Sequence, residues 1–280
     1  MTGLLRRLLG AHGGADAWRR TRTISVHHRF RGALWELKDT EGLLEDARTT
    51  VRVQQQWSRQ SPFGPLGYES TVTPDLVLIE TGDDEDEVVE ELQDPRASFA
   101  GHVLSTPWTP AQLAYFTGYT MWACLTEPWS LTFPGVRTEE VGPWVEGGKT
   151  WQRLRVVHPG GTATHSPVQT LYVDADGMLR RRDYEVDIAG SFPSVHYASG
   201  FEEHGGLVLA THHEVFPRSG DGHPVTAPVV VSIDLDRIQV DSMPPRAAPS
   251  AEASPPRRSS PRPASDRSSR AARRPRQRTR

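Results

Sequence analysis

Cysteine occurs once in the 280 residues, at Cys124, which excludes an intramolecular disulfide framework and any multi-cysteine metal site. Lysine occurs twice, at Lys38 and Lys149, so nearly all positive charge is arginine. No apolar run approaches the ~20 residues that span a bilayer. The opening Met1-Thr-Gly-Leu-Leu-Arg-Arg-Leu-Leu-Gly10 has arginines where a signal peptide needs an uninterrupted apolar core of about 7–15 residues. With one thiol, suited to a reducing compartment, these absences lead us to expect a cytoplasmic protein.

The C-terminal stretch lacks more. From Met243 to Arg280 there is no aromatic residue and no Val, Ile or Leu. Ordering each residue costs about 1–2 kcal/mol, and apolar burial at ~25 cal/mol per Å² has almost no surface here to offset it. Residues 243–280 are expected to form a disordered basic tail rich in Pro, Ser and Arg. Residues 1–242 have no interior linker of that kind and are read as a single domain.

This boundary explains the charge. The chain has 32 Lys+Arg against 35 Asp+Glu, net −3. The tail holds 11 Arg and two acids, +9, leaving 21 basic and 33 acidic groups in the body, −12. An acidic body is a poor nucleic-acid surface, and the tail has no aromatics to stack on bases. We expect no specific nucleic-acid site. At most the tail makes a weak, salt-sensitive contact with anionic surfaces, about 1 kcal/mol per arginine.

The body is rich in alternation. Apolar positions at Leu4, Leu5, Leu8, Leu9, Ala15 and Trp18 predict a helix over residues 2–19, weakened by three glycines. Ile24, Val26, His28 and Phe30 share one face of a strand over Arg22–Arg31, which Ala33–Leu37 would continue or pair with. Val51, Val53, Gln55 and Trp57 share one face of a strand over Thr49–Ser58. Two short strands follow, Ser70–Thr73 and Leu76–Thr81. Asp83–Asp94 carries eight acids and reads as a solvated loop or helix face. Trp108–Phe133 is the one interior helical region. Thr109 and Gln112 have capping-box spacing, Pro110 suits the first turn, and an aromatic stripe follows. Beyond Gly135 come hairpins, their turns marked by Glu146-Gly-Gly-Lys149, Asp174-Ala-Asp-Gly177 and His204-Gly-Gly206. Pro228–Val240 reads as the last strand.

So many sequential hairpins must curl to manage their edges. The predicted fold is α+β, mainly β. It is a strongly curved antiparallel half-barrel of nine or ten strands, with the N-terminal helix and the aromatic helix plugging the concave side.

Three stretches are similar to the LolA-like lipoprotein-carrier superfamily. They are the helix-to-strand opening, Gly14-Ala-Asp-Ala-Trp18 to Thr23-Ile-Ser-Val26, and two hairpins, Leu171–Tyr184 and Phe201–Thr211. The resemblance covers most of residues 1–242. It implies an unclosed β-barrel with an apolar cavity for acyl chains or similar ligands. Ala210 stands where the last pattern usually has Pro, and the basic tail is not part of the family pattern.

Motifs for other chemistry fail. Gly142–Thr150 looks like a phosphate-binding loop, but five residues rather than four separate Gly142 from Gly148, and it lies in a hairpin. There is no Gly-x-Ser-x-Gly elbow. His213-Glu214 lacks the second His of a zinc-protease helix. Of the two histidine pairs, His27-His28 and His212-His213, adjacent members face opposite ways, so neither pair chelates one ion.

The leading reading is a non-enzymatic binding or carrier protein for a hydrophobic or amphipathic small molecule or acyl chain, with no cofactor and no metal. Val51, Val53 and Trp57 from the strands, and Tyr115, Phe116, Tyr119 and Trp122 from the helix, would line the cavity. An inward Arg182 beside Tyr184 would hold a ligand carboxylate or phosphate. The plainer reading of Arg180–Asp187 is ion pairing on the solvent side. The alternative is an enzyme on the same scaffold, with His28, His196 and His213 converging near Asp183 or Glu214 for acid/base or metal-assisted chemistry. Cys124 is read as an inert core thiol.

Overall fold

The computed structural model describes residues 1–82 and 87–243. Helices α1 (Gly3–Ala11) and α2 (Gly14–Arg20) open the chain, followed by β1 (Thr21–Arg31) and the short α3 (Leu34–Leu37). Strands β2 (Asp46–Arg52), β3 (Ser58–Phe63), β4 (Tyr68–Val72), β5 (Leu76–Glu80) and β6 (Val88–Gln93) come next. Helix α4 (Pro110–Thr126) separates them from β7 (Arg137–Glu146), β8 (Lys149–Val157), β9 (Val168–Val173) and β10 (Leu179–Val186). Strands β11 (Phe192–His204), β12 (Leu207–Pro217) and β13 (Val231–Ser242) close the set.

All thirteen strands belong to one antiparallel sheet, ordered β6-β5-β4-β3-β2-β1-β13-β12-β11-β10-β9-β8-β7. The sheet is open: its edges are β6 and β7, which are consecutive in sequence. The chain joining them, residues 94–136, must therefore pass from one edge to the other, and it carries α4 on the way. This is why the aromatic helix lies in the concavity. Helix α4 is apolar all round, and every side chain from Ala111 to Trp122 is buried, the mark of an enclosed helix.

The capping box forms as the sequence predicts. Thr109 Oγ1 accepts from Gln112 N at 3.2 Å, and Gln112 Oε1 accepts from Thr109 N at 3.1 Å. The helix sits unusually close to β3 and β4. A Cβ on Gly118 would lie 2.8 Å from Ser58 Oγ and from Val72 Cβ. A buried chain, Thr117 Oγ1 to Gln60 Oε1 at 2.8 Å and Gln60 Nε2 to Thr49 Oγ1 at 3.1 Å, ties the helix to the sheet.

Alternation in β1 places Ile24, Val26, His28 and Phe30 in the core. Each histidine pair splits across the sheet as expected. His27 and His212 face outward to Asp46, Asp236 and Asp234, while His28 and His213 are buried.

Several local expectations are corrected. The N-terminal helix is two helices, broken at Gly13, whose φ of 104° and contact with the Gly206 carbonyl leave no room for a Cβ. Ala33–Leu37 is a helical turn rather than a strand, with Leu34 and Trp35 buried. Thr49–Ser58 is not one strand: β2 ends at Arg52, whose N–H bonds the Trp57 carbonyl at 3.1 Å across a turn into β3. Part of the acidic run is the edge strand β6, where Glu91 stands in water while Glu90 is half-buried. Among the described residues the sheet therefore has thirteen strands rather than nine or ten. The expectation of a disordered tail concerns residues of which only Met243 is described.

Candidate functional site

The concave side of β10, β11 and β12 brings Arg182, His196 and His213 together in the interior. The sheet register explains the grouping. Arg182 pairs with His196 across β10 and β11, and His196 with Val215 across β11 and β12. Helix α4 adds Cys124 and, at its C-terminal cap, Glu127.

Arg182 is buried and forms an ion pair with Glu127, Nη1 to Oε2 at 3.1 Å. The pair is poorly aligned: Glu127 Oε2 and Arg182 Nε make no hydrogen bond. Arg182 Nη2 donates to His196 Nδ1 at 3.2 Å and lies 3.9 Å from Cys124 Sγ. An arginine only donates, so His196 must carry its proton on Nε2. That proton is donated to His213 Nδ1 at 3.0 Å, which leaves the His213 Nε2–H buried without a partner. One guanidinium thus sets both tautomers.

Burial, reinforced by Arg182, holds His196 well below the ordinary imidazole range and pushes His213 down to about 3. Both rings are neutral at pH 7. Burial also pushes the Cys124 thiol up to about 11, against the opposing pull of Arg182. Tyr184 stacks on His165 with ring centroids 4.1 Å apart, and its hydroxyl reaches His196 Nδ1 at 3.4 Å. Tyr119 OH meets His165 Nδ1 at 3.2 Å.

Three spaces border this cluster. A cavity shared by Cys124, Arg182, His196 and His213 offers about 20 Å³ to water centres, room for about one water. On the other side of His196 and Tyr184 is an apolar cavity of the same size, walled by Phe116, Val215 and Ile233. The third is a larger recess of about 160 Å³ at the end of α4, between Trp122, Phe133 and Val136, with Glu127 and His158 also on its wall. Glu127 borders both the recess and the polar cavity.

Of the residues expected to line a cavity, Phe116 borders the apolar one and Trp122 the recess. The Trp122 indole N–H is also committed to the Arg52 and Gln55 carbonyls at 2.9 Å each, holding the β2–β3 turn. Tyr115, Tyr119, Val51 and Val53 are packed into the core. Trp57 does not face inward; it is half-buried in the turn under the Arg52 guanidinium, 4.4 Å from its ring centroid. Arg182 and Tyr184 do face inward, side by side with His196.

The expected histidine constellation assembles only in part. His196 and His213 meet, but His28 stands apart, packed on Phe30 at 4.6 Å with both ring nitrogens unpartnered. Asp183 lies on the opposite face of β10. There it pairs with Arg181 (Nε to Oδ1 at 2.7 Å) and accepts from Tyr172 OH at 2.7 Å. Nor is that face the solvent-side ladder the alternation suggested. Arg181 is fully buried, bonded also to Glu146 and the Gly222 carbonyl, with Tyr172 and Trp144 against its guanidinium. The reason is tertiary: the chain around Gly222 and the β7–β8 hairpin fold over it.

The sequence reading missed Glu127, His165 and His158. A signal existed for the first. Between Arg96 and Arg137 it is the sole Asp, Glu, Lys or Arg, and a lone charge in an apolar stretch is buried with a partner. His165 and His158 sit in the β8–β9 connection and carried no pattern.

No family model matches the chain, and no curated protein matches it in sequence. Among solved structures it is similar to a DUF1329 family protein from Desulfovibrio piger, at 11% identity over 85% of this chain and 92% of that one, with a TM-score of 0.49. It is also similar to a LolA superfamily protein from Nitrosomonas europaea, at 11% identity over 85% and 93%, with a TM-score of 0.48. The open antiparallel sheet with a helix in its concavity is the architecture that the LolA-like resemblance implied. These likenesses concern the fold alone.

Proposed function

We propose that the protein binds a small amphipathic molecule with an apolar body and a carboxylate or comparable anionic head. One observation carries this reading. Glu127 stands between the apolar recess and the polar cavity, and it is the loosely aligned partner of the buried Arg182. An anionic head arriving through the recess can take over the guanidinium, for which a planar two-oxygen group is the natural match. Glu127 then turns to His158, whose buried Nε2 has no partner. The ligand body lies against Trp122, Phe133 and Val136, where apolar burial supplies affinity and the head sets orientation. At about 160 Å³ the recess suits a short chain or a single ring, and a longer chain requires α4 to shift.

Tryptophan fluorescence of the full chain tests this with hexanoate and hexanol as probes, since Trp122 lines the recess. Hexanoate is expected to bind at least ten-fold tighter than hexanol, and Arg182→Gln to erase that difference. Equal binding of the two by the unchanged protein, or binding of neither, refutes the proposal.

A further inference from the structure

The amphipathic-ligand reading leaves Cys124 and the His196–His213 pair without a role. One ligating atom from each of Cys124, His196 and His213 lies within 4.8 Å of the other two, and all three residues are buried. They come from three separate elements, α4, β11 and β12, and share one cavity with room for about one water. We infer that these three side chains form a three-coordinate site for a soft monovalent cation of the Cu(I) class.

Geometry supports the bite. His196 Nε2 and His213 Nδ1 are 3.0 Å apart. Two nitrogens bound to one metal at about 2.0 Å, opening an angle of about 110–120°, stand roughly 3.3–3.5 Å apart. A metal in place of the shared proton needs the two nitrogens to spread by a few tenths of an ångström and the Cys124 sulfur, within 4.8 Å of the ligating nitrogens, to close in on it. The thiolate is a soft donor suited to Cu(I), and imidazole takes copper as readily as zinc, so charge decides between them.

Charge selects the valence. The cation displaces the thiol proton: Cys124–SH + M⁺ gives Cys124–S–M + H⁺, with no change in buried charge and no oxidant or reductant. A divalent ion making the same exchange leaves one uncompensated positive charge beside Arg182, which a buried site resists. The Nε2 proton of His196 passes to Nδ1, and the Arg182 guanidinium turns from that nitrogen toward the new thiolate and Glu127, both already within reach. Each cation bound releases one proton, so acid weakens binding.

The test is an anaerobic titration of the full chain with Cu(I), read by competition with the chelator bicinchoninate, and X-ray absorption on the loaded protein. One Cu(I) per chain is expected, with one sulfur and two nitrogens in its shell. Cys124→Ser should weaken binding by at least 100-fold, and His196→Gln and His213→Gln each by at least ten-fold. A lone buried thiol would bind Cu(I) without regard to either histidine. Binding unchanged in both histidine variants, an absorption shell without nitrogen, no retention against the chelator, or Zn(II) held in preference to Cu(I) each overturns the inference. The absorption measurement needs no variant, so it decides the matter even where a substitution unfolds the chain. The site does not depend on the amphipathic-ligand proposal: that reading fails with Arg182→Gln and hexanoate, this one with Cys124→Ser and Cu(I).

Discussion

Lowering the pH from 7.5 to 5 should destabilise this protein through its buried histidines. His28 and His213 are buried and neutral, each pushed down to about 3, and His165 and His196 are displaced the same way. In the unfolded chain all four return to about 6.5. Between about 3 and 6.5 the unfolded state therefore binds more protons than the folded one, and acid favours unfolding. The stability is fully present above 6.5 and is lost as pH falls toward 3. For a group shifted from 6.5 to about 3, the loss at pH 5 is about 2 kcal/mol. His28 and His213 together account for about 4 kcal/mol, a large share of a typical 5–15 kcal/mol. Asp187 and Glu90, held above the ordinary carboxylate range by burial, act in the opposite sense at the acid end. The assay is urea unfolding followed by tryptophan fluorescence at half-unit pH steps. His28→Leu should remove about 2 kcal/mol of the stability change between pH 7.5 and 5, and it also removes two unpartnered nitrogens from the core. A stability that is flat between pH 7.5 and 5, or a His28→Leu slope equal to that of the unchanged protein, refutes the reasoning.

Other outcomes follow from single contacts. Arg182→Met strands Glu127 beside an apolar side chain and should cost about 3–5 kcal/mol, of which Arg182→Met with Glu127→Gln recovers a substantial part; chemical denaturation of the three variants measures it. Gly118→Ala places a methyl 2.8 Å from Val72 and Ser58 and should destabilise by about 1–3 kcal/mol despite alanine's better helix propensity, read as a fall in Tm. Trp122→Phe removes the donor to two carbonyls and should cost about 1–3 kcal/mol, with faster amide exchange confined to the β2–β3 turn.

Much of the architecture was legible because it is written in local periodicity. The alternation of Ile24, Val26, His28 and Phe30, the Gly-bearing turns after Glu146, Asp174 and His204, and the Thr109–Gln112 cap each act within a few residues. So does the splitting of His27 from His28 and His212 from His213, which follows from the strand's two-residue repeat. Where the reading failed, a longer range decided. Nothing near Trp57 shows that β2 stops at Arg52, because the turn is held by Trp122 from a helix some 65 residues on. Alternation separates Arg181 and Asp183 from Arg182 and Tyr184, yet it cannot say that both faces of β10 are covered.

By itself, the sequence determined that the body is built of antiparallel hairpins around an enclosed aromatic helix, since strand period, turn glycines and capping are local effects. Only the tertiary structure decided which polar residues meet. Arg182, His196 and His213 lie on three different strands, and Cys124 and Glu127 on the helix that links the two sheet edges. Their contact depends on register and on the path of that connection across the opening, and no spacing along the chain encodes either.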